Sequence, residues 1–98
     1  MKNLNVSISA GTKMSSRFKQ DLLDGGVSTD VVEALRLAME NLASGPGGAY
    51  AGAMETAFTE YGIEGVKHQV MYMLINAGSW KGESARLCKK VLKKWSSK

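Results

Sequence analysis

A chain of 98 residues with 44% apolar and 7% aromatic residues can bury one modest core, which excludes a disordered polymer and leaves no room for two independent domains. Cys88 is the only cysteine, which excludes an intramolecular disulfide and a Cys-rich metal cluster, and no stretch approaches the roughly 18 apolar residues of a membrane span. The net charge of +4 is unevenly placed: residues 1–80 carry six Lys or Arg against eight Asp or Glu, whereas residues 81–98 carry seven against Glu83 alone. Such asymmetry points to an anionic partner, either nucleic acid or an acidic protein surface. The expectation is a soluble, cytoplasmic single domain over residues 1–98 with no cofactor, no metal and no membrane contact.

In chain order, residues 3–9 alternate between Leu4, Val6, Ile8 and Asn3, Asn5, Ser7, Ser9, the period-2 pattern of a half-buried strand. Helical spacing of Met14, Phe18 and Leu22 predicts a helix over about 13–24, stopped by Gly25-Gly26. Ser28, Thr29 and Asp30 offer N-caps to a second helix, with Glu33 in capping-box register after Asp30 and Val31, Leu35, Ala38, Met39 and Leu42 as its apolar face.

Ser44-Gly45-Pro46-Gly47-Gly48 breaks the chain into a half over 1–43 and a helical half over 49–98. Spacing resumes with Tyr50, Met54, Ala57, Phe58 and Tyr61, ends at Gly62, and restarts through Val66, Val70, Met73, Leu74 and Ala77. Met71 and Ile75 add a second apolar face, which predicts that this helix is the most buried one. The last helix, over about 83–95, sets Ala85, Cys88, Val91, Leu92 and Trp95 against Arg86, Lys89, Lys90 and Lys93, with Lys94 following. The predicted fold is mainly α, with one N-terminal β-strand followed by about five short helices.

The order from Leu4 to Leu42, an alternating strand, a short helix, Asp24-Gly25-Gly26 and a Ser/Thr-capped helix with Val31-Val32-Glu33-Ala34-Leu35, resembles the ribbon-helix-helix family, in particular the DNA-binding halves of ParD-type antitoxins. The resemblance implies a homodimer in which two strands pair and enter the major groove. Asn3, Asn5, Ser7 and Ser9 would then read bases, and amides near Ser28 and Thr29 would hold phosphate. The alternative for this strand is ordinary pairing within a small α+β domain.

The cations Arg86, Lys89, Lys90, Lys93 and Lys94 form a candidate phosphate-binding face, or a solvated face that complements the helix dipole. Trp80 and Trp95 beside them suit base stacking or, more simply, the core. Cys88 and His68 are the ingredients of a nucleophile and its base, but Cys88 sits on the apolar face and no orienting third residue is marked, so no enzyme is expected. The loop from Gly45 to Gly52 lacks the Lys-Ser/Thr ending of a phosphate loop and reads as a hinge. Two functions follow: a nucleic-acid-binding regulatory protein, or a protein-binding inhibitor or adaptor of phage or mobile-element type.

Overall fold

The computed structural model describes residues 14–43, 45 and 48–98. Five helices occur among them: α1 (Ser16–Asp24), α2 (Thr29–Leu42), α3 (Gly48–Gly52), α4 (Met54–Ile75) and α5 (Glu83–Ser96). The expected strand-led fold is therefore corrected to an all-α one: every regular element among the described residues is a helix. Pairing within the chain would have needed a second strand, and the described residues form only helices and the connections between them. The strand itself, over residues 3–9, lies outside the described residues, as do Asn3, Asn5, Ser7 and Ser9.

Local chemistry sets the helix ends. The Ser15 hydroxyl accepts a hydrogen bond from the Phe18 amide and starts α1. At its other end Gly26 takes a φ of 92°, its amide donates to the Leu23 carbonyl, and the Val27 amide donates to the Leu22 carbonyl. This is a Schellman stop, and it folds Val27 onto Leu22, both buried. Ser28, rather than Asp30, caps α2, its hydroxyl accepting from the Val31 amide. Glu33 is consequently not the return arm of a capping box. It pairs instead with Arg36, which also reaches Glu40 at 2.9 Å.

The sharpest feature is a corner inside α4. Gly62 has φ 71° and ψ −154°, a conformation open essentially to glycine alone, so the helix restarts there in a new direction. The turn brings the Gly65 backbone against the previous rod: a Cβ added at Gly65 would stand 2.5 Å from the Ala57 carbonyl oxygen and 2.7 Å from the Tyr61 Cβ. One glycine permits the corner and the other permits its closure.

Residues from both sides of the glycine-proline break share one core, with Phe18 and Leu22 of α1, Leu35 and Met39 of α2, Ala51 of α3, Met54, Val66, Val70 and Met73 of α4, and Leu92 of α5 all buried together. Helix α5 packs on α2 and α4, α3 packs on α2 and α4, and α1 packs on α2. Ser15 adds a tie across the fold, its amide and hydroxyl both donating to the Glu55 carboxylate at 3.2 Å. The half of α4 after the corner departs from expectation in one respect: Val66, Val70 and Met73 are buried, but Met71 is 45% and Ile75 77% exposed, so the second apolar face is open to solvent. No helix among the described residues is long and apolar enough to cross a membrane.

Replacing Gly65 with Ala should cost about 1–3 kcal/mol in urea unfolding, because the added methyl is forced onto backbone atoms. Gly78→Ala, where a Cβ meets open space, should stay within about 0.5 kcal/mol.

Candidate functional site

Helix α5 is fixed in rotation by its apolar side. Ala85, Cys88 and Leu92 are buried, and Val91 and Trp95 pack half-buried against the same core. At about 100° per residue, that commitment turns Arg86, Lys90, Lys93 and Lys94 outward, and all four are exposed. Among the described residues the ion pairs join Arg36 with Glu33 and Glu40 and Lys67 with Glu64, so none of these four cations has a carboxylate partner. Lys93 and Lys94 also lie in the last turn and Glu83 in the first, both favourable to the helix dipole. Leu87 interrupts the cationic face and is 57% exposed.

Lys89 is placed differently from the other lysines of this helix. It is half-buried at the boundary of the packed face, and its ammonium donates to the carbonyls of Ala77 at 2.7 Å and Trp80 at 2.5 Å. These carbonyls belong to the connection that follows α4, so Lys89 clamps that loop to α5. The ammonium also lies 5.9 Å from the centroid of the Trp80 ring. A group with two protein acceptors and an aromatic face has little left to offer phosphate. Lys67 is used similarly, over the Trp95 ring at 5.6 Å with Glu64 beside it at 3.6 Å. Both tryptophans are thus half-buried packing residues with a lysine across each ring.

Ser28 and Thr29, the other proposed phosphate contacts, start α2 and are exposed. Ser28 spends its hydroxyl on the Val31 amide, while its carbonyl accepts from the Val32 amide at 3.0 Å. The structure brings Arg86, Lys90, Lys93 and Lys94 together on one face and leaves Ser28 and Thr29 on another helix.

Cys88 is buried on the inner side of α5, whereas His68 is exposed on the outer side of α4. Burial pushes the Cys88 thiol up from its ordinary value, against a smaller opposing pull from a hydrogen bond with Ser84. A raised pKa keeps the thiol protonated at neutral pH and so disfavours a nucleophile. The Arg36 guanidinium, through its hydrogen bond, holds the Glu33 carboxyl below the usual range and is itself raised by Glu33. No group of three or more His, Cys, Asp or Glu side chains among the described residues is arranged to hold a metal ion.

Two depressions flank the exposed side of α4, and the sequence reading anticipated neither. The first, about 610 Å3, lies inside the corner and is lined by Glu60, Tyr61, Glu64, His68 and Tyr72. Tyr72 is held there by stacking on Tyr50, with ring centroids 5.8 Å apart. The second, about 530 Å3, lies between the ends of α4 and α5 and is lined by Met71, Leu74, Ile75, Lys89 and Lys93. The available signal was the second apolar face at Met71 and Ile75, which spacing revealed without saying what covers it.

Lys89→Met should lower stability by about 1–2 kcal/mol in urea unfolding, since it strips two carbonyls of a charged donor, whereas Lys90→Met should change it by less than about 0.5 kcal/mol. The chain matches no family model, and comparison with curated proteins and with solved structures gives no match.

Proposed function

We propose that this chain is a small non-enzymatic nucleic-acid-binding protein of regulatory type that holds phosphate on the outward face of α5. The observation that supports this reading is the row of Arg86, Lys90, Lys93 and Lys94, exposed on one face and without carboxylate partners among the described residues. From Arg86 to Lys94 the helix rises about 12 Å, long enough for the row to meet more than one phosphate of a strand. Lysines act here as point charges, so the contact is to backbone and independent of sequence. Lys89 is outside this set because its ammonium is spent on Ala77 and Trp80. The proposal does not draw on Asn3, Asn5 or Ser7, and it needs no strand.

A second reading has one observation in its favour. Leu87, 57% exposed among the cations, suits a mixed apolar and acidic protein surface better than a phosphate backbone. A protein-binding inhibitor or adaptor would use it as an anchor.

Fluorescence anisotropy with labelled duplex DNA and RNA at low salt tests the first reading. The wild-type chain should bind, and Lys90→Glu with Lys94→Glu should weaken binding by at least about tenfold while circular dichroism stays unchanged. Leu87→Ser should leave nucleic-acid affinity within about twofold, because phosphate contacts gain nothing from a leucine. Absence of binding at low salt, or indifference to the charge reversals, overturns the proposal.

A further inference from the structure

We propose that the outward face of α4 after its corner is a homodimer interface, in which two copies pack their α4 helices antiparallel about a two-fold axis near His68. Glu64, His68, Met71 and Ile75 follow spacings of four, three and four, so they form one stripe about 16 Å long. All are exposed, Met71 by 45% and Ile75 by 77%. A helix that buries Val66, Val70 and Met73 on one side and leaves Ile75 in water on the other has a face without a partner among the described residues.

The stripe has opposite ends, and this selects a second copy as its occupant. At the corner end stand the carboxylates of Glu60 and Glu64 and the 610 Å3 cleft between Tyr61 and Tyr72. At the other end Ile75 projects beside the groove lined by Lys93. Glu60 has no ion pair among the described residues, and neither has Lys93. Antiparallel pairing about residue 68 sets position 75 against the partner's corner, where Tyr61 closes the first rod just before Gly62. One copy's Ile75 then enters the partner's Tyr61–Tyr72 cleft, and Lys93 meets the partner's Glu60 and Glu64. Two-fold symmetry makes each contact twice, so the knob, the cleft and the charges form a closed, self-complementary interface. Lys93 belongs to both surfaces, whereas Arg86, Lys90 and Lys94 are not among the residues lining this groove, so phosphate contact through those three is tested separately from the interface.

Sedimentation velocity on the full chain, from micromolar to near-millimolar concentration, reads the association directly. The wild-type mass should rise to that of a dimer, and Ile75→Glu should remain monomeric with its circular dichroism unchanged. Glu60→Lys and Lys93→Glu should each weaken the dimer by about tenfold, and the two together should regain most of that loss because the charges are exchanged across the axis. A monomer at every concentration overturns the proposal, as does a dimer indifferent to Ile75→Glu, or a double variant no better than the worse single one. Nucleic-acid binding by monomeric Ile75→Glu separates this interface from the phosphate-binding reading, which stands or falls with Lys90 and Lys94.

Discussion

The rotation of α5 about its own axis is the constraint on which the functional surface depends. Leu92 and Ala85 are essentially inaccessible and Trp95 packs beside them, so the helix cannot turn without exposing them. Burying a leucine side chain is worth about 1.5–3 kcal/mol, more than an exposed lysine gains from any surface contact, and the apolar side therefore decides where the cations point. The basic surface is a consequence of packing, since the core beneath it fixes the side of the helix from which the cations project. Lys89 marks the border: one step around the helix from the exposed row, its ammonium serves backbone carbonyls and its charge contributes to the fold.

The corner in α4 has the complementary effect. Gly62 turns the chain and Gly65 lets the two rods close on each other. The second rod can then bury Val66, Val70 and Met73 while the corner's inner side opens as a cleft walled by tyrosines and glutamates. One backbone device thereby creates both the packing of the second rod and the depression beside its exposed stripe. Core and surface are coupled here through two residues without side chains.

Much of this was legible in the residues because it is local. Phe18 and Leu22, the Gly25-Gly26 stop, the end of helical spacing at Gly62, and the division of α5 into an apolar and a basic side all follow from 3.6-residue periodicity and glycine chemistry. What depended on distant partners was not legible. Lys89 reads as one more outward lysine until the loop after α4 brings two carbonyls to it. The apolar character of Met71 and Ile75 is plain, but spacing is silent on whether a neighbour covers them. The choice of Ser28 over Asp30 as cap turned on two residues of register. Alternation of Leu4, Val6 and Ile8 reports a period of two but not a pairing partner, and the regular elements among the described residues are all helices.

The central claim is that α5 divides its lysines between fold and surface. The most direct measurement is the salt dependence of duplex DNA affinity for the wild-type chain, Lys90→Met and Lys89→Met. Each phosphate contact contributes about 0.9 to the slope of log affinity against log salt. The account predicts a shallower slope, by about that amount, for Lys90→Met and an unchanged slope for Lys89→Met. Equal losses from the two variants, or affinity with no dependence on salt, would contradict it.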